Sequence, residues 1–286
     1  MSDHELRLGD CLEGVVGLAD RSVAHCISDP PYESEAHTLG RRARPAGEGA
    51  DPRELDFAPI GEQDRSDVAR HMARVAQRWI LVFCQVEAAM KWRSALEAGG
   101  ARYMRTMVWI KPDATPQFTG DRPGMGYESI VVAYAVSTKS RWNAGGKRGV
   151  YEFTGDPCRD HMTQKPVRLM EALIRDFTDP GELICDPFAG SGTTGVACKR
   201  LGRRFIGWER DPKFHAAAVK RLEATREQLE LGGKRIKQKN GVLLRKARLD
   251  SPTSPRSAPP SSTCALCATA MLERSTRPAP MHVKQN

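Results

Sequence analysis

The chain has 286 residues, of which 40% are hydrophobic, and its formal net charge is +9 at pH 7. This length accommodates one large α/β domain with appendages. No apolar run is long enough to span a membrane, and the polar start Met-Ser-Asp-His-Glu lacks the apolar core of a signal peptide. The eight cysteines include Cys26, Cys84, Cys185 and Cys198 inside predicted strands or helices, which favours a reduced, cytoplasmic protein.

The basic excess is confined to one end of the chain. Residues 232–286 contain 11 Lys and Arg but only 2 Asp and Glu, whereas residues 1–231 contain 33 of each sign. The stretch from Ser251 to Ser262 is rich in Pro and Ser, and the lone Cys264-x-x-Cys267 pair falls short of a zinc signature. We therefore predict a neutral domain at 1–231, a basic disordered tail at 232–286, and no metal site.

The first two predicted strands each end in a polar turn. Leu6–Leu12 is a strand followed by a turn that carries Asp10, and Val23–Ser28 is a strand that delivers Asp29-Pro30-Pro31-Tyr32. Two consecutive prolines neither extend a parallel ladder nor start a regular helix here. The tetrapeptide is therefore a rigid strand end that presents a carboxylate, a carbonyl and a ring. At the carboxyl edge of a parallel sheet, where α/β proteins bind ligands, it predicts an active site.

The middle of the chain alternates predicted loops with regular elements. Residues 33–65 form a polar loop carrying Arg41 and Arg42, for which a solvated loop and a DNA-contacting lid are equally supported. Helical spacing at 66–78 and 86–96 flanks an apolar strand at 79–84. Strands at 102–110 and 128–136 predict an antiparallel pair at the sheet edge.

The next segment, 137–161, combines cations, an aromatic ring and glycines. A charge run is usually a solvated face, but this composition also suits phosphate contact and base stacking. We therefore predict DNA contact by Lys139, Arg141, Trp142, Lys147 and Arg148.

A glycine-rich turn organises the last part of the domain. A strand at 183–185 leads into Asp186-Pro187-Phe188-Ala-Gly190-Ser191-Gly192, a helix follows from Thr193 to Leu201, and the next strand ends at Glu209. Gly190-x-Gly192-x-x-Gly195 with this acid also fits the dinucleotide fingerprint, which leaves NAD and S-adenosylmethionine as candidates. A carboxylate at the turn suits a sulfonium and an ammonium and repels a pyrophosphate, so Asp186 favours S-adenosylmethionine.

The two motifs together resemble those of the DNA amino-methyltransferases, which methylate adenine N6 or cytosine N4. Asp29-Pro30-Pro31-Tyr32 resembles their catalytic motif and Asp186-Pro-Phe-Ala-Gly-Ser-Gly their cofactor motif. The order is that of the circularly permuted β-type group, and His161-Met-Thr-Gln-Lys-Pro166 resembles a third motif, with Met162 where proline is usual. The resemblance spans roughly residues 4–225.

This resemblance implies a fold and a set of site residues. The fold is a Rossmann-like α/β methyltransferase fold, circularly permuted, with a mostly parallel seven-stranded sheet and an antiparallel edge strand. Asp10 would contact the cofactor's adenosine and Lys165 would lie beside its carboxylate. The complete predicted cofactor set is Asp10, Cys11, Asp29, Thr163, Lys165, Asp186, Pro187, Phe188, Gly190, Ser191, Gly192, Thr193, Glu209 and Arg210.

The implied chemistry is methyl transfer to an exocyclic amine. The Asp29 carboxylate and the Pro30 carbonyl would accept hydrogen bonds from the amine, and Tyr32 would stack on a base flipped out of DNA. Aspartate at position 29 favours adenine N6 over cytosine N4. An NAD-linked oxidoreductase and a non-catalytic DNA-binding relative are the alternatives, and nothing in the sequence indicates a restriction endonuclease partner.

Overall fold

The computed structural model describes residues 3–33, 59–116, 118, 120–156 and 164–227, together with the backbone of 230–231 and 234–235. Within these ranges, no helix has both the length and the apolar character needed to cross a lipid bilayer. The predicted tail, 232–286, lies outside the described residues except for one short strand, so its disorder stays a prediction.

A single large sheet forms the centre of the domain. Its strands are β1 (His4–Leu8), β2 (His25–Ser28), β3 (Trp79–Cys84), β4 (Arg102–Ile110), β5 (Tyr127–Tyr134), β6 (Val150–Glu152), β7 (Leu183–Asp186) and β8 (Arg204–Glu209). They are arranged in the order β1-β8-β7-β2-β3-β5-β4-β6. A separate pair, β9 (Glu230–Leu231) and β10 (Lys234–Arg235), is antiparallel.

The strand directions make the sheet mostly parallel, as predicted. The strands β1, β8, β7, β2 and β3 pair in parallel, and β5 is antiparallel to both β3 and β4. The described sheet differs from the prediction in two details. It has eight strands rather than seven, because the three-residue β6 adds to β4 in parallel. The antiparallel strand, β5, lies between β3 and β4 and therefore inside the sheet, not at its edge.

Helices cover both faces of the sheet. They are α1 (Cys11–Val16), α2 (Glu62–Val75), α3 (Ala89–Ala98), α4 (Val167–Phe177), α5 (Thr193–Arg200) and α6 (Pro212–Ala224), with one 3-10 turn at Val86–Ala88. The first three helices contribute to one hydrophobic core and the last three to another, on the opposite face of the sheet. This is the doubly wound arrangement expected when strands alternate with amphipathic helices.

The topology brings the predicted motifs to one edge of the sheet. β7 and β2 are neighbours, but the chain leaves β7 towards β8 and leaves β2 towards β3. A crevice opens at such a switch point, outside the carboxyl ends of the strands, and α/β proteins bind their ligands there. Asp29 follows β2 directly and Asp186 is the last residue of β7, so both motifs meet at this crevice.

Candidate functional site: a cleft at the carboxyl edge of the sheet

A cleft of about 170 Å³ lies at the carboxyl edge, and most of the predicted site residues line it. Four strand ends surround it, those of β1, β2, β7 and β8. The lining includes Asp10, Cys11, Asp29, Pro30, Pro31, Tyr32, Lys165, Asp186, Pro187, Phe188, Gly190, Ser191, Thr193, Glu209 and Arg210. The catalytic and the cofactor motifs, about 150 residues apart in sequence, thus share one cavity.

The glycine turn fits closely between β7 and α5. Gly190 and Gly192 have φ angles of +52° and +75°, in the left-handed region that favours glycine. A Cβ at Gly192 would lie 3.0 Å from the Cβ of Ala218 on α6, so a side chain has no room there. The turn therefore brings bare backbone against the cleft and starts α5 at Thr193.

The Asp186 carboxylate holds this turn together. Its Oδ1 accepts hydrogen bonds from Ser28 Oγ at 2.6 Å and the Phe188 amide at 3.1 Å, and its Oδ2 accepts one from Thr194 Oγ1 at 2.6 Å. Burial raises the pKa of Asp186 to about 6, and these hydrogen bonds oppose the rise. From the sequence we expect this charge to face a cofactor ammonium or sulfonium, whereas in the structure both oxygens are bonded to protein donors. Asp186 fixes the turn and joins it to β2.

The opposite end of the cleft carries the other acids of the predicted cofactor set. Glu209 Oε1 accepts a hydrogen bond from the Asp211 amide at 2.8 Å, which orients this carboxylate at the end of β8. Asp10 caps α1 by accepting a hydrogen bond from the Leu12 amide at 2.8 Å. Beside it, burial raises the pKa of the Cys11 thiol to about 12, so this cysteine is a neutral part of the wall. Two strand-end carboxylates therefore border the part of the cleft where a ribose would lie in a Rossmann-like site.

The predicted catalytic tetrapeptide is held by a buried lysine. Lys165 Nζ lies 2.6 Å from Asp29 Oδ2 and 3.3 Å from the Tyr32 hydroxyl. The same ammonium lies 5.4 Å from the centre of the Tyr32 ring and 5.3 Å from that of Phe83. Asp29 Oδ1, in contrast, is buried and has no hydrogen-bond partner among the described residues. One oxygen of the carboxylate is thus pinned, and the other lacks a donor.

The position of Lys165 bears on its predicted role. The resemblance implies that Lys165 lies beside the carboxylate of the cofactor, but its side chain is 5% exposed and its ammonium contacts Asp29. A cofactor contact by this residue stays a prediction; its contact with the catalytic motif is what the structure adds.

Sequence reasoning missed two charged residues of this cluster, Glu128 and Lys111. Glu128 Oε2 lies 3.2 Å from Lys165 Nζ, and its Oε1 pairs with the Lys111 ammonium. Glu128 begins the otherwise apolar Glu-Ser-Ile-Val-Val-Ala-Tyr stretch of β5, and an acid opening a buried strand was the signal available in the sequence. Only the antiparallel register of β5 brings that end of the strand to the cleft.

The cluster favours different charge states at its two carboxylates. Burial raises the pKa of Asp29, with Glu128 adding to the rise and Lys165 opposing it. Burial also works against ionisation of Glu128, but the Lys165 and Lys111 ammoniums hold the pKa of this carboxyl below its usual value. The two carboxylates in turn raise the pKa of Lys165 despite its burial. A cation shared between two carboxylates follows from these contacts.

A second buried ion pair anchors the chain directly after the tetrapeptide. Arg65 Nη1 on α2 lies 2.8 and 3.0 Å from the two carboxylate oxygens of Glu33. The Ile60 amide donates to the Tyr32 carbonyl at 3.1 Å. Residues 32–33 and 60–65 are thereby joined next to the Tyr32 ring. Arg41 and Arg42 of the predicted loop lie outside the described residues, as does Thr163.

The segment predicted to contact DNA begins at the other end of the sheet and returns to the carboxyl edge only through β6, four strands away from β2. β5 ends where β3 begins, with Tyr134 paired to Trp79, so the following residues start at the amino edge. The Trp142 ring packs edge-on against Phe177 of α4 with centroids 4.6 Å apart, and Trp79 Nε1 donates to the Arg141 carbonyl at 2.7 Å. Phe177 ends α4, about 15 Å along the axis from the helix start beside the cleft.

Two cations of this segment already have acidic partners. Arg141 Nη1 lies 3.3 Å from Asp179 Oδ2, and Lys147 pairs with Asp176. Lys139 and Arg148 are exposed. DNA contact by these residues stays a prediction, and their placement gives it no support from proximity to the cleft. Among the described residues, no cluster of three or more His, Cys, Asp or Glu could hold a metal ion.

Comparison with known proteins agrees with this architecture. Residues 135–220 match the model of the N6/N4 methyltransferase family, described as DNA methylase. The chain is 34% identical over 153 residues to the Type II methyltransferase M2.DpnII of Streptococcus pneumoniae, an alignment covering 46% of this chain and 56% of that relative. It is 25% identical over 245 residues to the Type II methyltransferase M.HinfI of Haemophilus influenzae, covering 75% of this chain and 67% of that relative.

Solved structures show the same fold. The complex of M1.HpyAVI with SAM superposes with a TM-score of 0.58 at 25% identity, covering 76% of this chain and 99% of that one. The cytosine-N4-specific PvuII DNA methyltransferase superposes with a TM-score of 0.61 at 16% identity, covering 78% and 87%, and is evidence for the fold alone. Sequence motifs, cleft and relatives agree: this chain is similar to the DNA methylases of the N6/N4 family.

Proposed function

We propose that the protein is a DNA methyltransferase that transfers the methyl group of S-adenosylmethionine to the exocyclic N6 amine of adenine. The observation that carries this proposal is the Asp29 carboxylate in the cleft. Lys165 holds its Oδ2, and its buried Oδ1 has no hydrogen-bond partner among the described residues. An unpaired buried acceptor is costly, so it marks the place where a donor of the substrate binds.

The cleft fits S-adenosylmethionine at the glycine turn and the strand ends. Gly190 lines the cleft and a Cβ there would have no atom within 4 Å, so a ligand can approach the backbone of the turn. Glu209 at the end of β8 lines the same cleft, and its carboxylate can accept hydrogen bonds from ribose hydroxyls. Asp10 borders the same end of the cleft. The cofactor supplies an electrophilic methyl group when bound. The relatives found are methyltransferases, and one similar structure is a complex with SAM, which supports this cofactor over NAD.

The residues of this chain then act on the amine. An exocyclic amine is a poor nucleophile because its lone pair is delocalised into the base. Asp29 Oδ1 accepts one N–H bond and the Pro30 carbonyl accepts the other, which pulls the nitrogen towards tetrahedral geometry and localises the lone pair. The nitrogen would then bond to the methyl carbon while the carbon–sulfur bond breaks, with S-adenosylhomocysteine as the leaving group. The proton lost from the nitrogen would pass to water by way of Asp29 Oδ1, its hydrogen-bond acceptor.

The target base has to leave the duplex to reach this site. Tyr32 follows the two prolines, and Pro31, Tyr32 and Asp29 line the same cavity, so its ring offers a stacking surface for a flipped base. The Lys165 ammonium near this ring, together with the anchored Glu33, keeps the ring in place. The rigid tetrapeptide thus positions a base and its amine at once.

Adenine rather than cytosine is proposed from the identity of residue 29. In proteins with this motif, aspartate at the first position is more typical of adenine methylation and serine of cytosine methylation. Cytosine N4 is the alternative, because it needs the same acceptors and the same attack. A cytosine-N4-specific enzyme also shares the fold.

Nucleoside mass spectrometry tests both levels of the proposal. Unmethylated DNA is incubated with the protein and S-adenosylmethionine, alongside Asp29→Asn and the control Asp20→Asn, which changes an exposed aspartate that pairs with Arg74. We expect N6-methyladenine from the wild type and the control and a loss of at least about 100-fold in Asp29→Asn. N4-methylcytosine would correct the base. The absence of any methylated base, with cofactor binding shown by calorimetry, would refute DNA methylation.

A further inference from the structure

Glu128 lies in the centre of the charge cluster although it belongs to none of the three motifs. It is 7% exposed and lies near the start of β5, opposite the end of β3. Its two oxygens contact different lysines: Oε2 lies 3.2 Å from Lys165 Nζ, and Oε1 pairs with Lys111. A buried carboxylate with two ammonium partners remains ionised and has a fixed orientation.

Lys165 links Glu128 to the catalytic motif. Its ammonium reaches Asp29 Oδ2 at 2.6 Å and Glu128 Oε2 at 3.2 Å, so two carboxylates hold one cation from two sides. Lys165 comes just before α4, and α4 packs on the face of the sheet that contains Ile27 and Phe83. Without Glu128, the ammonium would keep only Asp29 and the Tyr32 hydroxyl as partners in the described part of the chain. The lysine could then turn to cover both oxygens of Asp29.

We propose that Glu128 is a positioning residue for methyl transfer: it holds Lys165 so that the ammonium pins one oxygen of Asp29 and leaves the other for the substrate amine. This inference rests on the proposed function of Asp29. Glu128 itself does not touch the amine: it acts through Lys165, and it also holds the Tyr32 hydroxyl by a hydrogen bond.

The charges of the cluster give the proposal a second consequence. Asp29, Glu128, Lys165 and Lys111 together are neutral when all four are ionised. Removing the negative charge of Glu128 gives the cluster a net positive charge beside the position of a cationic methyl donor. It also leaves Lys165 to pair with Asp29 alone among these four groups. The carboxylate of Asp29 then becomes a weaker hydrogen-bond acceptor for the amine.

Three variants separate this role from a purely structural one. Glu128→Gln keeps the shape and removes the charge, whereas Glu128→Asp keeps the charge and shortens the reach. Glu171→Gln is the matched control, because Glu171 is a buried glutamate on α4 that pairs with Arg175 and Arg200 instead. For each protein, kcat of methyl transfer to DNA, the Kd for S-adenosylmethionine and the pH profile of kcat are measured.

We expect Glu128→Gln to lower kcat at least about tenfold while the Kd for S-adenosylmethionine changes less than about threefold. The acidic limb of the kcat profile should move to lower pH, because loss of the neighbouring negative charge lowers the pKa of Asp29. Glu128→Asp should recover part of kcat, and Glu171→Gln should leave the limb in place. An unchanged kcat, an unmoved limb, or a Kd that rises as much as kcat falls would overturn the proposal.

A measurement without substrate keeps the inference separate from the proposed function. Carbon-13 NMR of carboxyl-labelled aspartate, assigned with Asp29→Asn, follows the titration of Asp29 directly in the wild type and in Glu128→Gln. A lower Asp29 pKa in the variant supports the coupling even if the protein methylates no DNA. An identical titration curve in both proteins refutes the coupling even if the wild type is an active methylase.

Discussion

Removing one hydroxyl beside Asp186 should produce a pH-dependent loss of stability. Thr194 Oγ1 donates a hydrogen bond of 2.6 Å to Asp186 Oδ2, and both residues are buried. The variant Thr194→Val has nearly the same shape and lacks only the donor. Two other donors to the same carboxylate, Ser28 Oγ and the Phe188 amide, remain.

The expected loss of unfolding free energy depends on whether the acceptor, the Asp186 carboxyl, is ionised. A hydrogen bond to an ionised group contributes about 2 kcal/mol, and one to a neutral group about 1 kcal/mol. Burial raises the pKa of Asp186 to about 6, so in the folded protein this carboxyl is mostly protonated at pH 5 and ionised at pH 8. The variant should therefore lose about 1 kcal/mol of unfolding free energy at pH 5 and about 2 kcal/mol at pH 8.

The sign of the pH dependence is fixed by the direction of the shift. A carboxyl whose pKa is raised on folding destabilises the folded state progressively as pH rises through that pKa. Loss of the Thr194 donor raises the pKa of Asp186 further, by about 0.7 unit for a loss of about 1 kcal/mol. The difference between variant and wild type must grow with pH.

Urea denaturation at pH 5 and pH 8, without cofactor, measures both values. Thr225→Val is the control, because its hydroxyl donates at 2.7 Å to the neutral Arg221 carbonyl and its effect should be the same at both pH values. Equal destabilisation by Thr194→Val at pH 5 and pH 8 would refute the assignment of Asp186 as an ionising buried group.

Three further predictions concern the stability of the domain. Gly195→Ala should destabilise the fold by about 2 kcal/mol, since the new Cβ would lie 2.9 Å from the buried ring of Phe205. Thermal unfolding measures this loss, and a variant more stable than the wild type would contradict the prediction. Arg65→Met should cost about 3 kcal/mol of unfolding free energy, measured in urea, because it leaves Glu33 buried without its arginine. A second change, Glu33→Gln, should recover part of this loss. If the effects of the two changes simply add, the pairing is contradicted. Glu182→Gln should lose about 2 kcal/mol of unfolding free energy at pH 7 and almost nothing near pH 2. Hydrogen bonding and ion pairing outweigh the burial of the half-buried Glu182 and lower its pKa to about 2, so its stabilisation fades as pH falls from about 4.5. A pH-independent loss would contradict this.

The two sequence motifs were enough to predict part of the candidate site. Asp29 and Asp186 each end a short apolar strand, and parallel strands expose their carboxyl ends at one edge, so the meeting of the two motifs follows from local sequence. The hydrogen bond from Ser28 to Asp186 does not, because it depends on β2 and β7 being neighbours in the sheet.

The remaining site residues depend on strand order and direction. Glu128 reaches Lys165 only because β5 runs antiparallel to β3, which reverses the end of the strand that faces the cleft. β6 has three residues, too few to show an alternating pattern, so the eighth strand left no signal in the sequence. The composition of the segment at 137–148 suggested a DNA interface, but composition alone does not tell where in the fold a segment lies. Two of its cations, Arg141 and Lys147, pair with carboxylates at the end of α4 because β5 delivers the chain to that side.

The ion pairs at the end of α4 have a consequence for the thermodynamics of DNA binding. The salt dependence of DNA affinity counts the counterions released when protein cations replace them at phosphates. Arg141 and Lys147 already neutralise Asp179 and Asp176, so moving either cation to a phosphate leaves its acid without that partner. They would add little to the slope of log affinity against log salt. A steep slope would accordingly report cations other than these two, such as the exposed Lys139 and Arg148. Arg141 and Lys147 would add to it only after the charge of Asp179 or Asp176 is removed.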